Sequence, residues 1–209
     1  MIALFFEVQT RPGHRDQYLQ LAASLRPALD AMGGCLFIDR FASLTREDLL
    51  LSYQIWQDEG AMTAWRVHGY HHEVQTIGRE KVFSDYRIRI AQVIHEERPD
   101  KPIWQPERLT PYNDPARRPS TFVLVAESKH AELAVKTDWR RDSFKSVYRD
   151  GCFAHLIDVP DQQAGLALGR ELLKDSTMEY FRIVEVMRDY GMFDRTEAPQ
   201  YYPPVEPRA

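Results

Sequence analysis

Hydrophobic and polar positions follow two different periodicities along the first half of the chain, and these periodicities predict alternating strands and helices. Four stretches rich in apolar and β-branched residues predict strands: IALFFEVQT, CLFIDRFAS, LLLSYQIWQ and SDYRIRIAQVIH. Helical spacing connects Tyr18, Leu21, Ala22, Leu25, Leu29 and Met32, with a kink expected at Pro27 and a stop at Gly33 and Gly34. A second helical region extends from about Glu59 to Val82. The order βαββαβ predicts a ferredoxin-like unit.

The second half repeats this order in a divergent form. Strands are predicted at STFVLVAES, SFKSVYR, CFAHLIDV and TMEYFRIVEVMRDYGMF, and HAELAVKTDWRRD is at most a short helix. The segment DQQAGLALGRELLKD predicts a helix whose apolar face holds Ala164, Leu168, Leu172 and Leu173. The fold class is therefore expected to be α+β, with tandem ferredoxin-like units.

Prolines mark the boundaries between the predicted units. Six of the 13 prolines lie between Pro99 and Pro119, where a regular helix or a central strand is excluded. We expect a ferredoxin-like domain at 1–97, a proline-rich connector at 98–119 and a second, divergent domain at 120–195. An extended tail should follow at 196–209. Trp104 in the connector is expected to pack against a domain.

Each predicted unit leaves one apolar sheet face uncovered, so another sheet must cover it. Either the second half or a second chain can supply that sheet, and two such sheets face to face make a small barrel. A homo-oligomer, with a dimer as first choice, is therefore expected.

Composition narrows the class of partner and the compartment. The net charge of −4 and the absence of a basic excess argue against nucleic acid as a partner. No apolar run reaches the roughly 20 residues that cross a bilayer, so no membrane partner is expected. The N-terminal apolar run is interpreted as a strand rather than a signal peptide, because no basic residue precedes it. The two cysteines are expected to be free thiols in a cytoplasmic protein.

Several motifs of the first half resemble those of one family. They are the opening FFEVQTRPGHRDQYLQL, the GGCL entry to the second strand, the passage YQIWQDEGAMTAW, and WRVHGYHHEVQTIGRE followed by FSDYRIRIAQV. Residues 1–95 thus resemble the antibiotic biosynthesis monooxygenase domains of the dimeric α+β barrel superfamily. The resemblance implies a barrel and a pocket between helices and sheet, lined by the tryptophan equivalent to Trp65. That superfamily includes cofactor-free monooxygenases of polyketide phenols and haem-degrading enzymes.

The histidine cluster inside WRVHGYHHEVQTIGRE has two structural interpretations. In one straight helix, Trp65, His68, His72, Gln75 and Arg79 would face water. If Gly69 instead caps a first short helix, a second helix begins, and His71, Val74, Gln75 and Gly78 share one face. The glycine at 78 would let that face approach the sheet closely.

Metal and haem are both disfavoured by the same stretch. His68, His71 and His72 have a chelating spacing only if the helix is unbroken, and no second cluster of ligands stands out. Resemblance to the haem-degrading relatives places Phe6 where they carry an asparagine, and Gln75 or Val74 where they carry the iron-ligating histidine. Glutamine is not a credible axial ligand. We therefore expect no cofactor and no metal.

The sequence leads to a small-molecule oxidoreductase, a cofactor-independent monooxygenase acting on an aromatic or quinone-like substrate. Such chemistry needs a base of near-neutral pKa, a flat apolar pocket and a donor for the developing anion. The candidate residues are, for catalysis, Trp65, His71, Gln75 and His72 and, for substrate binding, Phe6, His68, Arg79 and Tyr53. The alternative is a non-catalytic barrel for ligand binding or assembly, and a haem-binding or haem-degrading protein is a less favoured third possibility.

Overall fold

The computed structural model describes residues 1–106, 121–133 and 137–199. Its strands are β1 (Ile2–Thr10), β2 (Cys35–Ser43), β3 (Leu49–Trp56), β4 (Phe83–Arg98), β5 (Lys101–Trp104), β6 (Thr121–Ser128), β7 (Arg141–Ser146), β8 (Phe153–Val159) and β9 (Met178–Gly191). Its helices are α1 (Arg15–Ser24), α2 (Arg26–Met32), α3 (Glu59–Arg66), α4 (Gly69–Ile77) and α5 (Gln162–Leu172), with a π-helical turn at Gly78–Val82. None of the described helices is long and apolar enough to cross a membrane.

The fold is α+β and ferredoxin-like, with its main sheet closed into a barrel. Hydrogen bonds link the strands in the order β1-β3-β2-β7-β8-β6-β9-β4, and β4 also pairs with β1. The strands of the first half follow the order β4-β1-β3-β2, and those of the second half follow β9-β6-β8-β7. Pairings β4–β9 and β2–β7 join these two groups antiparallel. The sheet partner that the first half needs is therefore supplied within the same chain.

Alternation along the strands divides the apolar residues into an inner and an outer set. Phe5, Tyr53, Ala91 and Val184 belong to the core inside the barrel, and all four are fully buried. The alternate residues of β4, such as Ile90 next to Ala91, point outward beneath the helices. This is the separation of faces that period-two alternation requires.

The barrel interior also contains charged groups that are paired across the two halves. The Arg182 guanidinium on β9 donates to a carboxylate oxygen of Glu96 and to the Tyr53 hydroxyl. Arg149 donates to carboxylate oxygens of both Asp39 and Glu127. Buried charges are tolerated because each has a partner at hydrogen-bond distance.

The first predicted helix is two helices that meet at Leu25. Pro27 occupies the first turn of α2, where its missing N–H costs no hydrogen bond. Gly33 and Gly34 follow with φ values of 73° and 79°, so they end the helix as predicted. The predicted kink is thus a full break between α1 and α2.

The break in the second helical region lies beside Gly69, but the role predicted for this glycine is wrong. α3 ends at Arg66 with Val67 as its C-cap, and His68 is the N-cap of α4. Gly69 is therefore the first residue of α4 rather than the cap of α3. The helices are separated because His68 adopts an extended conformation, with φ −60° and ψ 128°.

The apolar face predicted for α5 is also corrected. The helix buries Gly165, Leu166, Gly169 and Leu172, so the prediction is confirmed for Leu172, whereas Ala164, Leu168 and Leu173 are only partly buried. A Cβ atom on Gly169 would lie 2.4 Å from the Phe181 ring, so the glycines mark the line of closest approach to the sheet. The hydrophobic pattern did not indicate Gly165 and Gly169 because glycine carries no hydrophobic signal.

The start of the predicted connector forms an edge strand. β5 pairs with the end of β4, and Trp104 packs partly buried against the barrel core, as predicted. Residues 107–120 and 200–209 lie outside the described residues. Cys35 and Cys152 are both free thiols.

Candidate functional site

A cavity of about 180 Å³ lies between the outer face of the first four strands and helices α1–α4. Aliphatic and aromatic side chains make most of its wall: Leu4, Phe6, Leu29, Ile38, Met62 and Ile90. Such a concave, apolar space with a few polar groups is the usual form of a small-molecule site.

Trp65 and His71 meet in this wall because the chain reverses between α3 and α4. Asp58 caps α3 by accepting a hydrogen bond from the backbone N–H of Ala61 at 2.8 Å, which fixes the start of that helix. The break at His68 then returns α4 across the end of α3. The rings of Trp65 and His71 stack with centroids 4.4 Å apart and planes within 15°. Trp65 is buried, and both rings line the cavity.

The hydrogen bonds of His71 determine its tautomer. Nδ1 lies 2.8 Å from the backbone carbonyl oxygen of Trp65, and a carbonyl can only accept, so Nδ1 carries the proton. Nε2 therefore holds the lone pair. The side-chain nitrogen of Gln75 lies 3.1 Å from Nδ1 and 3.3 Å from Nε2, and only the unprotonated Nε2 can accept a hydrogen bond from it.

Burial keeps His71 uncharged. It lowers the pKa of the imidazole from 6.5 to about 4, and the nearby charges of His68, Arg40 and His72 act in the same direction. The hydrogen bond to Trp65 opposes this shift only in part. At neutral pH the cavity therefore presents an imidazole with an unprotonated Nε2.

Phe6 and Arg79 also line the cavity. Phe6 makes edge-to-face contacts with Phe83 and Tyr86, at centroid distances of 5.7 and 5.5 Å. Arg79 lies in the π-helical turn after α4 and donates a hydrogen bond to the Tyr86 hydroxyl. Gly78 brings that turn close to the sheet, because a Cβ atom there would lie 2.4 Å from the Phe83 ring.

Three predicted site residues do not reach the cavity wall. Tyr53 points into the barrel, where its ring stacks on Phe5 at 5.1 Å, so it does not line this cavity. On β3 the cavity-facing positions are the alternate residues Ser52 and Gln54. Neither His68 nor His72 lines the cavity, although the His68 ring lies 5.4 Å from Trp65.

Several polar residues of the wall were not predicted from the sequence. Arg40 and Tyr18 meet across it, and the Arg40 guanidinium opposes the burial that raises the pKa of the Tyr18 phenol. Tyr190 and Arg195 enter from the end of the second half. The alternation of side chains along β2 and β4 is the one sequence signal that could have placed Arg40 and Tyr86 on the outer face of the sheet. No local pattern could have placed Arg195 in the wall.

Comparisons with known proteins show the family to which the chain belongs. The sequence model of the antibiotic biosynthesis monooxygenase family matches residues 1–76. A protein of Pyricularia oryzae strain 70-15, "Jasmonate monooxygenase ABM", is 30% identical over an alignment of 225 residues, which covers 98% of this chain and 100% of that protein. The chain belongs to the antibiotic biosynthesis monooxygenase family. The resemblance drawn from its motifs is thereby confirmed.

Solved structures show a weaker likeness to this chain. An anthrone oxidase-like protein aligns over 95% of this chain and 96% of its own, with 12% identity and a TM-score of 0.40. A conserved protein of Methanosarcina mazei Go1 aligns over 43% of this chain and 88% of its own, with 20% identity and a TM-score of 0.40. Likeness at this level carries no argument about activity.

The residues that line the cavity extend beyond the segment that the family model matches. Residues 1–76 include Trp65, His71 and Gln75 but end before Arg79. The wall is completed by β4 and by Tyr190, Arg195 and Pro199 at the other end of the chain. Within the described ranges, no group of three histidine, cysteine or acidic side chains could hold a metal ion.

Proposed function

We propose that this chain is a cofactor-independent monooxygenase that acts on an aromatic or quinone-like small molecule. Membership in the family supports the monooxygenase class. The observation that carries the finer proposal is an uncharged His71, stacked on Trp65 in an apolar cavity, with a lone pair on Nε2. A base in this state can take a proton from a phenol or from an activated C–H group.

The proposed reaction needs no reductant besides the substrate. His71 removes a proton from an activated CH₂ group, as in an anthrone, and leaves an electron-rich enolate. The enolate gives one electron to O₂, and the two radicals combine to form a peroxide. The proton on His71 passes to the peroxide and gives R₂CH–OOH. The remaining C–H bond and the O–O bond then break, and the C–H proton joins the departing OH as water, which completes the balance R₂CH₂ + O₂ → R₂C=O + H₂O.

The low pKa of His71 is compatible with this role. An imidazole of pKa about 4 is a weak base toward a neutral ligand. An enolate formed beside it stabilises the imidazolium, so the pKa rises as the proton moves. Phe6 and Trp65 would hold a flat ring system, and Gln75 would position the imidazole, since its amide also lies 3.4 Å from the Arg66 carbonyl oxygen.

The test is oxygen uptake with an anthrone, dithranol, in the absence of any reductant. Wild-type protein should consume O₂ and place one ¹⁸O atom from ¹⁸O₂ in the product. His71→Asn should lower kcat by about 100-fold or more, the usual contribution of a general base. The matched control is His14→Asn, because His14 is hydrogen-bonded to Pro12 at the surface and outside the cavity. Equal kcat in wild type and His71→Asn would refute the role of His71.

The name of the Pyricularia oryzae relative adds a second substrate to the same assay. Hydroxylation of jasmonate at a saturated carbon follows R–H + O₂ + 2e⁻ + 2H⁺ → R–OH + H₂O, so it requires an external reductant. Jasmonate turnover that depends on added NADH would therefore support monooxygenation and refute independence from a reductant.

A non-catalytic ligand-binding barrel is the second candidate, and one observation favours it. Both nitrogens of His71 already have partners within the protein, the Trp65 carbonyl and the Gln75 amide. A base must lose one of these partners to accept a proton. Saturable binding of dithranol without O₂ uptake, with or without NADH, would support this candidate over the enzyme.

We propose that the protein uses no haem. The residue that faces the cavity one turn after His71 is Gln75, whose amide does not ligate iron well. Addition of hemin should give no Soret shift that saturates at one equivalent. A saturable shift would overturn this proposal.

We further propose a tandem organisation, with units at 1–97 and 120–195, a connector at 98–119 and a tail at 196–209. The strand orders β4-β1-β3-β2 and β9-β6-β8-β7 support it, because they repeat the same spatial sequence. Limited proteolysis of the full chain should cut first within 98–119. Early cuts inside either unit would contradict this division.

A homodimer in the cytoplasm completes the proposal. Closure of the barrel within one chain removes the uncovered sheet face that first suggested a dimer, so the dimer now rests on resemblance to the superfamily alone. Sedimentation equilibrium should give twice the chain mass of 24.4 kDa. The free thiols at Cys35 and Cys152 are consistent with a reducing compartment.

A further inference from the structure

The Tyr86 hydroxyl occupies an unusual position in the cavity wall. Tyr86 lies on β4, only 8% exposed, with its side chain on the outer face of the sheet. Two guanidinium groups donate to its oxygen, one from Arg79 and one from Arg195, whose Nη1 lies 3.1 Å away. The two arginines come from opposite halves of the chain.

The number of hydrogen-bond donors around the Tyr86 hydroxyl determines which further hydrogen bond it can make. A hydroxyl has two lone pairs and one hydrogen, and a guanidinium can only donate. The two arginines therefore use both lone pairs, and the O–H of Tyr86 must donate to a third group. Within the described part of the chain, no acceptor for this hydrogen is present at hydrogen-bond distance.

The charge around the cavity indicates which acceptor would bind there. The lining side chains include five arginines and no carboxylate among the described residues: Arg26, which is paired with Asp30 outside the lining, and Arg40, Arg66, Arg79 and Arg195. The Nε atoms of Arg40 and Arg66 are buried without a hydrogen-bond partner. A cluster of cations beside an apolar wall favours an anionic group on an apolar body.

Arg195 is held in place by its own segment. Its Nη1 also donates to the Gly191 carbonyl oxygen at 3.2 Å. Two residues further on, a Glu197 carboxylate oxygen accepts from the backbone N–H of Asp189 at 2.7 Å, and Ala198 is buried. The end of the second half thus brings a fixed cation to a cavity formed mainly by the first half.

We propose that Tyr86, Arg79 and Arg195 form a subsite for an anionic oxygen of an otherwise apolar ligand. The Tyr86 O–H donates to that oxygen, and the two guanidinium groups polarise the hydroxyl. The oxygen can belong to a carboxylate or to a phenolate or enolate. The inference deepens the proposed function by naming the chemical class of its substrate, and it rests on that function only for turnover.

The test measures binding by isothermal titration calorimetry with two pairs of probes. Jasmonate and methyl jasmonate differ only in the carboxylate, and 4-nitrophenolate and 4-nitroanisole, measured at mildly alkaline pH, differ only in the anionic oxygen. Wild-type protein should bind the anionic member of at least one pair about 10- to 100-fold more tightly, the range for a hydrogen bond to a charged group. The preferred pair identifies the source of the oxygen.

Two variants test whether the preference for the anionic ligand arises at Tyr86 and Arg195. Tyr86→Phe keeps the ring and removes the donor, and Arg195→Gln removes one cation from the second half. Each should abolish most of the preference while leaving the affinity for the neutral member of the pair within about twofold. Tyr70→Phe is the matched control, because the Tyr70 hydroxyl is bound to Ser24 at the surface. Thermal unfolding of each variant checks that it is folded.

Each outcome either supports the subsite or overturns it. No preference in either pair, no binding of either anion at millimolar concentration, or a preference that survives Tyr86→Phe overturns the subsite. The wild-type comparison alone still decides if a variant fails to fold. Anion-selective binding without O₂ uptake would refute the monooxygenase and leave the subsite standing, so the two failures are distinct.

Discussion

Removal of the His71 imidazole should change how the stability of the protein depends on pH. The folded protein keeps this imidazole neutral, because burial lowers its pKa from 6.5 to about 4. The unfolded chain has no such environment, so its imidazole titrates near 6.5. His71→Asn removes the titration but retains a side-chain N–H that can donate to the Trp65 carbonyl.

The sign and size of the effect follow from proton linkage. Between about pH 6.5 and pH 4 the unfolded state binds a proton that the folded state does not, so stability falls as the pH is lowered through this window. Above this window the neutral imidazole makes its full contribution to stability, and below this window that contribution is lost. The difference between 6.5 and about 4 corresponds to about 3 kcal/mol of unfolding free energy. His155, also neutral with a pKa of about 4, titrates in both proteins and cancels in the comparison.

Urea unfolding followed by circular dichroism, at several values between about pH 7 and pH 4, measures this difference. The stability of His71→Asn relative to wild type should rise by about 3 kcal/mol as the pH falls across the window. Tyr70→Phe, on the same helix and without a change in titratable histidines, should keep a constant difference. Parallel pH profiles for wild type and His71→Asn would refute the claim that burial holds His71 neutral.

Three further predictions concern the framework of the site. Gly78→Ala should lower stability by about 1–3 kcal/mol in thermal unfolding, because its Cβ would lie 2.4 Å from the Phe83 ring. Gly69→Ala, with open space at its Cβ, is its control and should stay within about 0.5 kcal/mol of wild type. Asp161→Ala removes the cap of α5 and should cost about 1 kcal/mol in urea unfolding, whereas no change would mean the cap is dispensable. Arg182→Met removes one of the two arginines that pair with the Glu96 carboxylate and leaves Arg98 in place, so it should cost about 1–3 kcal/mol, and no loss would show that Arg98 alone is sufficient.

Local patterns in the sequence determined most strands and the contents of one wall of the cavity. β1 and β2 have the predicted bounds, because their apolar, β-branched stretches are bounded by turn residues on both sides. The shared face of His71, Val74 and Gln75 also follows from helical spacing once the helix is broken near Gly69.

The same patterns could not place residues whose position depends on distant parts of the chain. Alternation on β3 separates Tyr53 from Ser52 and Gln54, but it does not say which set faces the helices. The π-helical turn at Gly78–Val82 likewise changes the direction of Arg79 without any signal in the spacing.

The sequence by itself thus determined a ferredoxin-like order of elements and a tryptophan–histidine pair in one family motif. Only the tertiary structure decided that the barrel closes within one chain and that Arg195 reaches Tyr86, 109 residues earlier. The physical reason is that periodicity records which face of an element is apolar, whereas the choice of neighbouring element depends on pairing between strands far apart in the chain. That choice brings the second half of the chain into the wall of the cavity.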